Sequence, residues 1–345
     1  MNMLSRRSLF GLAGSSLTSL LFLEASRHSF GAPSTQPDLR LGLFSDINSS
    51  YGSTNYLDTV EAGIKFILAS KPDQVICAGD MIAGQKLSHS PAKLDTMWQS
   101  FNRQILEPIR AAGLPFLFSL GNHDASASMG SNGYIFEADR AAANRFWQPR
   151  KHQLGLNYID STGFPFYYTA ELNNIFWLVW DASSAQISNQ QQNWAREQLA
   201  SSSARKAKIR IALGHLPLRG VSRGRDQPGE VLDQANKLQQ ILEIGGVHAY
   251  ISGHQHSYYP ARLGKLDLIQ LGATGSGPRQ LIVDTKPPRQ SITLLDVFWQ
   301  QREISETSYS FPGGKEINWD ELPISLPSRN GPLLRRISKR SSILN

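Results

Sequence analysis

The stretch that decides the fold is Leu114-Pro115-Phe116-Leu117-Phe118-Ser119-Leu120-Gly121-Asn122-His123-Asp124. Its first seven residues are an apolar run of the kind that fills a buried strand. The run stops at Gly121, so Asn122, His123 and Asp124 fall on the loop at the strand's carboxyl end. In α/β sheets that edge is where ligand sites gather. An amide, an imidazole and a carboxylate on one turn can coordinate a metal, move a proton and hold the imidazole in place. A capped polar turn would read the same over so short a string, and only the flanking chain separates the two.

The same punctuation recurs on both sides. Upstream, residues 39–45 read as a strand ending at Asp46-Ile47-Asn48, 56–70 as a helix, 74–78 as a strand ending at Gly79-Asp80, and 94–111 as a helix. Downstream, residues 166–172 and 175–180 flank Asn173-Asn174 as a hairpin that ends at Asp181. An amphipathic helix over 190–200, with Trp194 and Leu199 inward, follows. Residues 209–213 form a strand ending at Gly214-His215, 230–244 a helix, and 249–252 a strand ending at Gly253-His254-Gln255-His256. Strands alternating with helices predict a largely parallel sheet core with right-handed crossovers. Short antiparallel runs follow at 258–263, 266–271, 292–298 and 304–308. Between the two halves, residues 125–163 hold a helix over 134–147 and read as an insertion near the site, either a lid or a surface excursion.

The composition is that of a globular protein, 40% hydrophobic and 18% charged over 345 residues, room for one large domain or two small ones. The single cysteine, Cys77, lies in an apolar run and reads as a small buried hydrophobe, so no disulfide framework or zinc finger is expected. The formal net charge of +7 comes from the two ends. Setting aside three basic residues and one acidic residue in 1–32, and five basic residues in 329–345, leaves 27 of each sign. A neutral body gives no ground for a nucleic-acid partner. No apolar run in the body reaches the length of a membrane span.

At the amino end Ser5-Arg6-Arg7-Ser8-Leu9-Phe10 precedes an apolar stretch and then the small residues Gly31-Ala32. That order resembles a twin-arginine signal peptide over residues 1–32, which implies the twin-arginine export machinery as a partner and a periplasmic or equivalent extracytoplasmic location. The body of the domain then runs over 38–310. Residues 311–345, rich in Pro, Ser and Arg, are expected to form a loose basic tail whose charges are solvated.

Asp46, Asp80, Asn122, His215, His254 and His256 all fall just past the end of a predicted strand. With His123, four of the chain's eight histidines lie on these Gly-rich turns. Imidazole and carboxylate together hold borderline divalent metals. The order Asp-x-Asn, Gly-Asp, Gly-Asn-His-Asp, Gly-His, Gly-His-x-His, from Asp46 to His256, resembles the calcineurin-like metallophosphoesterase superfamily. Gln190 to Trp194 and the loop Gly272 to Gly277 resemble that family's helix and glycine-rich loop.

The resemblance implies an α/β fold, a four-layer α/β/β/α sandwich of two facing mixed β-sheets flanked by helices. It implies two divalent metal ions, Mn being expected and Fe or Zn the alternatives. Asp80 would bridge them, with Asp46, Asn48 and His256 completing one site and Asn122, His215 and His254 the other. His123 would protonate the leaving group, and Asp124 would hold its ring. The implied reaction is hydrolysis of phosphate mono- or diesters by a metal-bridging hydroxide. The chain departs from the family at position 48, where Asn stands in place of the usual His. Ala83 also rules out the tyrosine that the purple acid phosphatase branch carries three residues after the bridging Asp, so either Asn48 ligates, or a nearby group such as Tyr51 or water fills the place, or the first metal is lost. A non-catalytic phosphate- or metal-binding protein retaining the fold is the alternative from another class. An interaction protein working through its basic tail is a third.

Overall fold

The computed structural model describes residues 36–275 and 277–342. The signal peptide read over 1–32 lies outside the described residues.

Two mixed sheets carry the architecture. The first has seven strands. Leu39–Phe44, Gln74–Cys77 and Phe116–Phe118 run parallel, in register Phe44 to Cys77 to Phe118. Gln290–Phe298 and Glu303–Phe311 extend this sheet in antiparallel fashion beyond the first strand. The second sheet has nine strands, with Ile175–Val179, Ile209–Leu213, Ala249–Ser252 and Leu266–Gln270 parallel at its centre. The hairpin Tyr168–Leu172 and Ile175–Val179 is formed as expected, turning through Asn173 and Asn174, both at positive φ.

The second sheet is buried on both faces at its centre, where its strands are mostly apolar. Period-two alternation then divides them. Trp177, Val179, Ile211 and Leu213 join the core between the sheets, while Phe176, Leu178, Ala212 and Tyr250 join a second core under the helices Asn189–Leu199 and Ala235–Ile244. Helix Asp58–Ala69 covers the first sheet, with Val60, Ile64 and Ile67 inward. These are the four layers that the resemblance implies.

Three expectations are corrected. The single helix expected over 94–111 is a helix Pro91–Phe101, a π-turn Asn102–Leu106 and a short helix Glu107–Ala111. Pro108 has no N–H for the bond that an uninterrupted α-helix would need there, so the register slips just before it. The helix Glu137–Trp147 of the insertion is no lid. Ala142, Ala143, Phe146 and Trp147 are core residues, and the Trp147 ring stacks on Phe118 with centroids 3.8 Å apart.

Nor is the chain beyond Phe311 loose. Trp319, Leu322, Leu326 and Leu333 are buried in the second core, and short strands Lys315–Glu316, Ser325–Leu326, Leu333–Arg335 and Arg340–Ser342 pair onto both sheets. Arg336, counted among the solvated basic residues, is buried. It donates to Asp267 at 2.9 Å and lies against Glu306, an ion pair rather than a well-aligned hydrogen bond.

Candidate metal centre

Every polar group expected at the site lies past the carboxyl end of a strand, where backbone that leaves a sheet must turn sharply. Asp46, Asp80, His254 and His256 all sit in the left-handed region, at φ 52°, 57°, 66° and 57°. Non-glycine residues adopt this conformation at a cost that the surrounding fold must meet, and such positions cluster at functional sites. Glycines let the turns approach one another. A Cβ on Gly121 would collide with the backbone and carboxylate of Asp80, and one on Gly79 would meet Gly121 and the His215 ring.

The turns bring together donor atoms of Asp46, Asp80 and His215, all within 4.8 Å of one another and all buried. His215 Nε2 is 3.3 Å from Asp80 Oδ2 and 3.9 Å from Asp46 Oδ1. His256 Nε2 is 3.2 Å from Asp46 Oδ1. Asn122 Oδ1 lies 3.0 Å from His215 Nε2 and 2.9 Å from His254 Nδ1. Asn122 is turned this way by its amide group, which donates to Gln85 Oε1 at 2.7 Å.

Each of these three imidazoles is anchored by its other nitrogen. His215 Nδ1 faces the Ala78 carbonyl at 2.7 Å, His256 Nδ1 the Gly277 carbonyl at 2.7 Å, and His254 Nε2 the Glu230 carboxylate at 2.8 Å. An acceptor on the far nitrogen holds the proton there and leaves the near lone pair free, which is how metal-binding histidines are oriented. The electrostatics set His215 and His254 apart. Burial disfavours the charged form of His215, but the Asp80 and Asp46 carboxylates outweigh it and push its pKa up to about 9. Burial would raise Asp80 and Asp46, yet the neighbouring imidazoles hold both below the usual carboxylate range. Burial drives His254 down to about 4, leaving a neutral imidazole despite Glu230. Two buried carboxylates, an amide oxygen and three oriented imidazoles are a donor set suited to divalent ions.

His123 stands at the edge of this cluster. Its Nε2 is 3.9 Å from Asp80 Oδ2, and its Nδ1 is 3.3 Å from the Gly84 carbonyl. The expectation that Asp124 holds the ring does not survive. Asp124 is fully buried and accepts from the backbone N–H groups of Met81, Ile82 and Gly121 at 2.8, 2.9 and 2.8 Å. It is a scaffold carboxylate beneath the turn, pushed up to about 7 by burial and by Asp80. The Gly84 carbonyl takes the orienting place. Asn48 is buried, and its backbone N–H donates to the Asp80 carbonyl at 3.3 Å. Tyr51 is 57% exposed, with its ring 5.0 Å from that of His123, at the mouth of the site.

A cleft of about 260 Å³ opens over the cluster, lined by His123, Asn122, His254, Tyr51, Arg225 and Glu230 among others. Glu230 and Arg225 were missed in the sequence. Arg225 donates to the His254 carbonyl at 2.9 Å and pairs with Glu230 at 3.4 Å. Glu230 lies in the turn before helix Ala235–Ile244, not in the helix expected over 230–244, and no adjacent motif marks it.

The fold superposes on a purple acid phosphatase from yellow lupin (Lupinus luteus) seeds with a TM-score of 0.60 and 16% identity, over 83% of this chain and 54% of that one. It also superposes on GAP50, described as the anchor in the inner membrane complex of Plasmodium, with a TM-score of 0.51 and 15% identity over 81% and 87%. Identities this low speak to the fold alone. This chain thus spans 54% of the lupin protein's length. No curated protein matches. The family described as calcineurin-like phosphoesterase matches residues 39–258, more than half of the sequence and all of the cluster from Asp46 to His256, and the chain belongs to that family.

Proposed function

We propose that this chain is an exported metal-dependent hydrolase of phosphate mono- or diesters. Family membership supports metal-dependent phosphoesterase chemistry. The single observation that carries the reading is the convergence of the Asp46, Asp80 and His215 donors within 4.8 Å, beneath a cleft that His123 lines. Asp46, Asn48 and His256 would hold one ion and Asn122, His215 and His254 a second, with Asp80 shared. Mn is the ion that this oxygen-rich set favours, Fe or Zn being the alternatives. When bound, such ions supply positive charge for the phosphoryl oxygens and acidify a water.

The chain's own residues supply the rest. With Nδ1 donating to the Gly84 carbonyl, His123 directs Nε2 toward the cleft, where in its protonated form it gives a proton to the departing alkoxide. The Arg225 guanidinium adds a fixed cation to the same cleft.

Hydrolysis of an aryl phosphate and its bis-ester with added Mn²⁺ is the direct assay. His123→Ala should lower turnover on poor leaving groups by about 10²–10⁴-fold. Metal content should stay unchanged. Loss of both metals in that variant would show His123 to be a ligand instead, and no hydrolysis of either ester would favour a non-catalytic binding protein. Export rests on the Arg6-Arg7 pair before its apolar stretch. Arg6→Lys with Arg7→Lys should strand the precursor in the cytoplasm, and undiminished export would point to the general secretory route.

A further inference from the structure

The metal cleft continues into a larger groove of about 590 Å³, sharing Ser128, Ser184, Ala185 and Gly229 with it. The volume is that of an ordinary small-molecule site. Its charge differs from that of the cleft. Arg225 faces the cleft, but among the described residues the groove is lined by no Lys, Arg or His. Its charged lining residues are acids, Asp181 and Asp233. Asp181 is already satisfied by Arg140 at 2.9 Å and by Ser183, while Asp233 is exposed. A second phosphate or any other anion on the substrate would therefore enter a site with no cation to meet it.

The rest of the lining mixes hydroxyls and amides, including Ser184, Gln186, Ser188 and Gln190, with small apolar groups such as Ala185 and Pro228 and one larger apolar edge. That edge is the hairpin Met129–Gly130 and Gly133–Tyr134, in which Met129 pairs with Tyr134. The Tyr134 ring is a braced platform. The Arg140 guanidinium lies 4.1 Å from its centroid and is itself buried, donating to the Ala125 carbonyl and pairing with Asp181. The residue is nevertheless 41% exposed, and it lines the groove.

We propose that this groove is the subsite for the alcohol portion of the substrate, and that it selects a neutral, hydroxyl-bearing alcohol with a flat ring, of the nucleoside class, over alcohols carrying further anionic groups. The flat ring lies against Tyr134, and the hydroxyls meet the serine and glutamine side chains. The inference rests on the phosphoesterase reading above, but its test separates the two.

With the Mn²⁺-loaded full chain, kcat/KM is compared for a nucleoside 5′-monophosphate, the matching 3′,5′-bisphosphate, choline phosphate and glycerol 2-phosphate. Binding of the uncharged nucleoside is measured separately by calorimetry or ligand-observed NMR. The nucleoside monophosphate should lead the series. Tyr134→Ala should raise its KM about tenfold, within the range of base–aromatic stacking, with kcat and glycerol 2-phosphate turnover unchanged. Tyr134→Phe should restore it, and Asp233→Lys should improve the bisphosphate relative to the monophosphate. Equal efficiency across the four esters, choline phosphate leading, or a Tyr134→Ala effect shared by glycerol 2-phosphate would overturn the proposal. If no ester is hydrolysed, the phosphoesterase reading fails alone. Nucleoside binding weakened by Tyr134→Ala would still uphold the groove, and binding that is absent or indifferent to that change would refute it.

Discussion

At Asn48 the chain breaks the pattern that the rest of its cluster keeps. An amide carbonyl is a neutral oxygen donor, whereas imidazole suits Zn, Fe and Cu. Asn48 is buried beside Asp80, whose carbonyl its backbone N–H meets at 3.3 Å. If its side chain completes the first site, that site should take a Mn²⁺-like ion and release it readily on dialysis. In a metal titration, Asn48→Ala should weaken the first ion by about tenfold or more, and Asn48→His should shift preference toward Zn²⁺. Equal affinity in wild type and Asn48→Ala would make Asn48 a loop residue. At this scale, ligand types were legible in the sequence because they cluster just past apolar runs, most of them behind a glycine. The role of Asp124 was not. Adjacency to His123 suggested a partnership, but the turn carries its carboxylate down onto the N–H groups of Met81, Ile82 and Gly121, where the backbone needs an acceptor.

Among the elements, the central strands were readable because apolar runs with sharp polar stops survive any tertiary context. What escaped were pieces whose role depends on distant partners. The segment 225–230 carries no motif, yet it places Glu230 2.8 Å from His254 Nε2. Glu230 is a positioning residue there, fixing the His254 proton on the outer nitrogen so that Nδ1 faces the cluster. Glu230→Gln should weaken metal binding at that site by about 10–100-fold. Glu230→Asp should restore part of it. The readout is calorimetric metal affinity, and an unchanged affinity in Glu230→Gln would remove the assignment. The insertion helix is a similar case. The sequence places a helix there, but its burial and the stacking of Trp147 on Phe118 show it to be core rather than lid.

Across the whole molecule, the carboxyl-terminal segment ties the two sheets together. Arg336 reaches Asp267 on the second sheet and Glu306 on the first, and Tyr258 donates to the same Glu306 at 2.7 Å. Burial opposes the Arg336 charge, but the two carboxylates raise its pKa above the ordinary value. Composition alone read this segment as a solvated tail, because its strands are two or three residues long and its partners lie far away in sequence. Arg336→Ala leaves the buried Glu306 without a cation and Asp267 with Arg262 alone, and should cost about 3–5 kcal/mol in urea unfolding. A loss below about 1 kcal/mol, the level of exposed pairs, would show the clamp to be incidental. Deleting residues 327–345 should likewise destabilise the fold rather than remove an independent interaction segment.

The proposed metal centre is built around Asp80, whose carboxylate lies 3.3 Å from His215 and whose backbone turn is held at φ 57°. The most direct measurement is metal stoichiometry by elemental analysis after Mn²⁺ loading and dialysis, on wild type and on Asp80→Ala, with folding of both checked by circular dichroism. A shared centre predicts at least one ion, and no more than two, per folded wild-type chain, and loss of both from folded Asp80→Ala. Two ions retained by folded Asp80→Ala, together with full phosphatase activity, would contradict it.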